Sequence, residues 1–254
     1  MTDASTSHHH GGSDDATRQY ADEVVEHEHA NVMGGWLRPA VFGAMDGLVS
    51  NFALIAGVVG GTGGDQSSAV VLAGLAGLAA GAFSMAVGEY TSVASQAEHA
   101  QAEIEVERHE IATNPQAEQA ELAQMYIDRG IEPALAHQVA AQVHADPDLA
   151  IAVHAREELG VDPEHLPSPV VAAVSSLLAF ALGALLPVLP YLLGAETLLP
   201  ALVISFIALF ACGAIVSIIT TRSWWYGGLR QLVLGGAAAG LTYLIGQLVG
   251  TTLG

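Results

Sequence analysis

Five uncharged, largely apolar runs divide the chain: Gly47–Gly64, Gln66–Gly88, Pro167–Ala195, Thr197–Thr221 and Gln231–Gly254. Helices of these lengths cross, or nearly cross, about 30 Å of hydrocarbon. The first run reaches full length only if Asp46 is counted inside the bilayer. Gly60–Gly64 with Asp65–Ser68 reads as a short turn that makes the first two spans a hairpin, and Pro187, Pro190 and Pro200 are expected to bracket a second turn. Residues 96–166 are too charged to span and too helix-favouring to be a linker. A helix continues from Val93 to Thr113 and stops at Asn114-Pro115, a second runs from about Gln116 to Arg129, and Glu132-Pro133 and Asp146-Pro147 open two more.

The pattern therefore predicts an all-α polytopic membrane protein with five transmembrane helices and a helical domain inserted between helices two and three. The expected divisions are an acidic disordered tail (1–35), helices one and two (36–95), the inserted domain (96–166) and helices three to five (167–254). Hydrophobic residues make up 52% of the chain and charged residues 13%, which removes a soluble enzyme from consideration.

Charge then orients the spans. All seven basic residues are arginines (18, 38, 108, 129, 156, 222 and 230), and five crossings place them on one face together with the tail, the 96–166 region and a 222–230 loop. The positive-inside bias makes that face cytosolic, with the N-terminus inside and the C-terminus outside. Trp36 and Trp224–Tyr226 fall where interfacial aromatics are expected. The net charge is −19, and fifteen of the 26 carboxylates lie in residues 96–166. Such a surface repels nucleic acid and attracts cations. The single cysteine, Cys212, allows no intrachain disulfide.

Two groups of residues are candidates for chemistry. On the helix leaving the second span, Glu103, Glu107 and Glu110 fall at i, i+4 and i+7; Glu118 and Glu121 add a pair on the next helix, and Glu158 closes the fourth. Like charges so spaced cost an isolated helix about 0.2–0.5 kcal/mol per pair, a cost that a bridging cation reverses. Oxygen ligands without cysteine suit Fe²⁺ or Mn²⁺, with Ca²⁺ and Mg²⁺ also possible, and His109 or His154 nearby tilts the choice toward iron. The same spacing also fits a solvated acidic face. Asp46 forms the second group with Ser50, one turn deeper, and with the Met85/Glu89 pair on the other arm of the hairpin. A carboxylate in the bilayer costs about 2.5–3.5 kcal/mol unless it faces protein or water, so its default reading is functional. Two carboxylates and a thioether make a weak transit site for a transition metal, although a lone methionine more often packs and Glu89 also suits an interface.

The strings DGLVSNFALIAGVVGG (46–61) and MAVGEYTSVASQAE (85–98) resemble the signature spans of the vacuolar iron transporter family. ELAQMYIDRGI (121–131) and REELG (156–160) are similar to its cytosolic metal-binding domain, and the resemblance covers roughly residues 36–254. It implies a five-span homodimer that exchanges cytosolic Fe²⁺, and often Mn²⁺, for protons, with the metal as substrate and no prosthetic group. Asp46 and Met85 match its translocation path, with Glu89 in the same motif. Glu107, Glu110, Glu118, Glu121 and Glu158 match its metal-domain glutamates, and Glu103 matches less well. At His154–Ala155 the chain departs from a methionine pair, leaving His154 as a nitrogen ligand in place of two thioethers. Arginine without lysine, and no vacuolar sorting cue, points to a bacterial plasma membrane. A membrane-anchored ferritin-like iron-binding or ferroxidase protein is the competing expectation, weakened because residues 96–166 contain no Glu-x-x-His pair.

Overall fold

The computed structural model describes residues 35–64, 66–220 and 222–253, so the expectation for the tail falls almost wholly outside it. The described residues form eight helices and no strand: α1 Leu37–Thr62, α2 Ser67–Thr113, α3 Pro115–Asp128, α4 Pro133–Val143, α5 Pro147–Glu157, α6 Pro169–Leu192, α7 Leu198–Ile219 and α8 Trp224–Leu253. Five of them, α1, α2, α6, α7 and α8, are long and apolar enough to cross a membrane.

Local chemistry sets the boundaries. α1 ends at Gly63, whose φ of 71° is left-handed and opens the tight hairpin to α2. Proline occupies the first helical position of α3, α4, α5 and α6, where its missing N–H costs nothing. Asp146 caps α5 by accepting from the amides of Asp148 and Leu149, and Ser168 caps α6 by accepting from Val171.

α1 begins at Leu37, so Asp46 lies well inside it, as the full length of the first span requires. One expectation needs correction. α8 begins at Trp224, so most of the expected 222–230 loop is helix: nothing between Trp224 and Gln231 breaks one, and Gly227 and Gly228 let its first turns close on Ser217 and Phe210 of α7. Pro187 and Pro190 lie in the last turns of α6, and with Pro200 they bracket the turn at Leu193–Thr197, as expected. Pro200 sits in the first turn of α7, a position that tolerates it.

α1 is the hub of the bundle, packed by α2, α6, α7 and α8. Leu48, Phe52 and Ala56 meet Leu209 of α7 and Ala239 of α8, while Ile55 and Val59 meet Val70, Val188, Tyr191 and Ala201. At Gly43 the backbones approach so closely that a Cβ would stand 2.6 Å from the carbonyl oxygen of Ser176 on α6, which requires glycine. Between Pro39 and Thr62 only Phe42, Asp46, Ser50 and Leu54 are exposed, a stripe at four-residue spacing.

α2 is one continuous helix of 47 residues. At about 70 Å it is more than twice as long as the roughly 30 Å hydrocarbon core of a bilayer, far more than one crossing needs. In its C-terminal half Ile104 and Ile111 pack against Ala150, Ile151 and Ala155 of α5, and Leu122 and Ala123 of α3 pack against Ala140 of α4.

Candidate metal site and membrane cavity

The packing of α2 on α5 decides which glutamates converge. Ile104, Glu107 and Ile111 follow one another at i, i+3 and i+7, so the face that buries the two isoleucines carries Glu107 inward with them. Glu107 is 6% exposed and meets His154, which is fully buried on α5. His154 Nδ1 lies 2.7 Å from Glu158 Oε1 and 2.9 Å from Glu107 Oε1. Only the Glu158 contact has hydrogen-bond geometry, and Glu107 Oε1 remains a buried acceptor without a donor. Glu107 belongs to a second group as well: ligand atoms of Glu107, Glu110 and Glu118 lie within 4.8 Å of one another, as do those of Glu107, His154 and Glu158. Two triads thus share one buried carboxylate.

Glu103 and Glu121 belong to neither triad. Glu103 lies one turn before Glu107 on the same side of α2, 3.8 Å from His99, and Glu121 is exposed on α3. The spacing i, i+4, i+7 puts three glutamates on one stripe, and of these Glu118 of α3 reaches only Glu107 and Glu110.

Crowded acidity has a measurable effect. Burial, reinforced by the charges of Glu158, Glu118 and Glu110 and partly opposed by His154, pushes the Glu107 carboxyl up to about 7. Burial first, then Glu121 and Glu110, likewise raises Glu118. A carboxyl raised in the folded state contributes stability that is complete below its ordinary value of 4.5 and is lost as pH rises through about 7. Metal-free protein should therefore show a lower thermal midpoint at pH 7.5 than at pH 5. Glu107→Gln should flatten that difference, and Mn²⁺ should restore the midpoint at the higher pH. Thermal unfolding followed by helical circular dichroism in detergent with chelator checks this; a wild-type midpoint that rises with pH would contradict it.

His144 is a neighbour that sequence reasoning missed. Its Nε2 lies 3.0 Å from His154 Nε2, with the rings edge to face and centroids 5.1 Å apart. One imidazole donates and the other accepts, which ties the far side of His154 while its Nδ1 faces the glutamates. Burial, and then the charge of His154, lower the His144 pKa. The pair is separated by ten residues and a turn, and no spacing rule links them.

A second feature lies between α1, α2 and α6. A cavity of about 420 Å³ is lined by Asp46, Ser50 and Asn51 of α1, by Gly77, Ser84 and Met85 of α2, and by Phe180 of α6, among others. The hairpin thus brings Asp46, Ser50 and Met85 together, whereas Glu89, one turn beyond Met85, is not among the lining residues. Asp46 and Ser50 are on the exposed stripe of α1, so the cavity opens at the side of the bundle.

A profile of the VIT family matches residues 37–247, which takes in four candidate spans, most of the fifth and both groups of residues. The chain belongs to the VIT family. It is similar to a vacuolar iron transporter of Acanthamoeba castellanii, with 36% identity over 231 residues, 87% of this chain and 82% of that one. It is 30% identical over 240 residues to vacuolar iron transporter 1 of Oryza sativa subsp. japonica, covering 91% and 94% of the two chains. The corresponding protein of Arabidopsis thaliana is 30% identical over 220 residues, or 85% and 87%. These VIT-family relatives are named as transporters, which sets the chain with transporters rather than enzymes. They come from plants and a protist and are named as vacuolar, which does not bear out the expectation of a bacterial plasma membrane.

Proposed function

We propose that this VIT-family protein transports a divalent metal, Fe²⁺ or Mn²⁺, out of the cytosol in exchange for protons. The observation that carries the reading is the pairing of two features on one helix: the cavity with Asp46, Ser50 and Met85, and the buried Glu107 shared by two carboxylate triads farther along α2. Residues 96–166 form the cytosolic metal-binding part, with Glu107, Glu110, Glu118, Glu158 and His154 as ligands, and Glu103 and Glu121 as outlying charges that concentrate cations. Metal then passes to Asp46 and Met85. A carboxylate and a thioether hold a transition metal weakly enough to release it, and protons arriving from the opposite side displace it at Asp46 or Glu89. The arginine distribution supports a cytosolic N-terminus and a C-terminus on the far side.

The exposed stripe supports a homodimer. Asp46 would face lipid in a lone copy, at a cost of about 2.5–3.5 kcal/mol on an insertion scale. A second copy set against Phe42, Asp46, Ser50 and Leu54 closes the cavity and surrounds the carboxylate with protein.

Reconstitution into liposomes tests the reading. With the 96–166 side facing Mn²⁺ or Fe²⁺ and the opposite side acidic, metal should cross toward the acidic compartment while protons move the other way. Metal flux that neither requires nor dissipates the pH gradient would overturn antiport, and the absence of any flux would overturn transport.

A further inference from the structure

Asn51 is 2% exposed, in the middle of an apolar helix, and its two ends have opposite fates. The amide nitrogen donates to two backbone carbonyls on different helices, Gly74 of α2 at 3.1 Å and Ala184 of α6 at 2.6 Å. That pairing fixes the orientation of the side chain, because the flipped amide would set its oxygen against both carbonyl oxygens. Oδ1 must therefore point away from them, and it has no hydrogen-bond donor. Asn51 lines the same cavity as Asp46 and Met85. Gly77 leaves room for that oxygen and for Leu54: a Cβ there would stand 2.9 Å from Oδ1 and closer still to Leu54 Cδ2.

We infer that Asn51 Oδ1 is a further ligand for the transported cation, met about one and a half turns deeper along α1 than Asp46. The inference rests on the transport reading above. A neutral amide oxygen is a hard ligand suited to Mn²⁺ and Fe²⁺, and it adds no charge to the middle of the bilayer. Held rigid by two hydrogen bonds, it replaces a lost water ligand without having to be ordered when the ion arrives. The same side chain ties α1 to α2 and α6, so the ligand is built into the joint of three helices.

Two variants test this in proteoliposomes. Asn51→Leu removes the oxygen while keeping the branched shape, and Gly77→Ala sets a methyl group against that oxygen and Leu54 without removing the amide, so it serves if the first variant fails to fold. The readouts are Mn²⁺ flux and the Cd²⁺ concentration that halves it, relative to the Mn²⁺ half-saturation concentration. Loss of a hard ligand should lower Mn²⁺ flux at least tenfold for Asn51→Leu. In either folded variant it should lower the Cd²⁺-to-Mn²⁺ ratio at least threefold, because Cd²⁺ retains the thioether of Met85. A packing defect or a plugged cavity slows flux without moving the ratio. An unchanged ratio in folded protein overturns the inference alone, whereas absence of wild-type flux overturns the transport reading and the inference with it.

Discussion

Asp46→Ala is expected to abolish metal flux while leaving metal binding at the Glu107 triads intact. The two places are well separated: Met85, which lines the cavity with Asp46, and Glu107 are 22 residues apart on α2, about 33 Å along the helix axis. The alanine leaves no carboxylate among the residues that line the cavity. A cation leaving water would then have only Met85, a hydroxyl or two and an amide to meet it, far short of its hydration shell. Flux in proteoliposomes should fall below about one hundredth of wild type, a barrier increase of at least about 2.7 kcal/mol. Calorimetric titration of Mn²⁺ should give the same stoichiometry for variant and wild type. Near wild-type flux would remove Asp46 from the path, and loss of binding would show that the two places are one.

Glu107→Ala combined with Glu110→Ala should do the reverse, raising the half-saturation concentration while leaving the maximum rate within about twofold. Glu107 belongs to both triads, so its loss breaks both, while Glu110 belongs to one. Removing a charged, buried ligand typically costs about 1.5–3 kcal/mol, or roughly ten- to a hundredfold in affinity. His154, Glu158 and Glu118 remain and should preserve residual capture. Flux measured against Mn²⁺ concentration decides the matter: a collapsed maximum with unchanged half-saturation would mean that these glutamates act in the crossing itself.

The spans were legible because hydrocarbon permits no charge, so five uncharged runs announce five helices almost regardless of detail. The helices between the second and third spans were legible from punctuation, since Asn114-Pro115 stops one helix and starts the next and Glu132-Pro133 and Asp146-Pro147 open two more. Pro187, Pro190 and Pro200 marked the second turn without ending a helix themselves: near the end of a membrane helix a proline forfeits little, and α6 runs on past two of them to Leu192. For the sites, periodicity identified which residues share a stripe but not which of them the neighbouring helices reach. That depends on Glu118 of α3 and His154 of α5, the latter more than forty residues away from Glu107 in the chain, and so Glu103 was grouped with glutamates it does not meet. Asn51 was visible as a polar residue within the DGLVSNF string, but its significance depends on carbonyls of two other helices, which no local pattern specifies.

The unbroken course of α2 from cavity to capture cluster constrains how the chain can change in length. Each residue inserted between Met85 and Glu107 would advance the distal part by about 1.5 Å and swing it through about 100°. One added residue thus carries Glu107 off the face that meets His154 and brings a solvated side chain against α5. Seven added residues return it to nearly the same bearing, about 10 Å farther from the membrane. Between these two positions α2 behaves as a threaded shaft, and relatives that differ in its length are expected to differ by about whole pairs of turns.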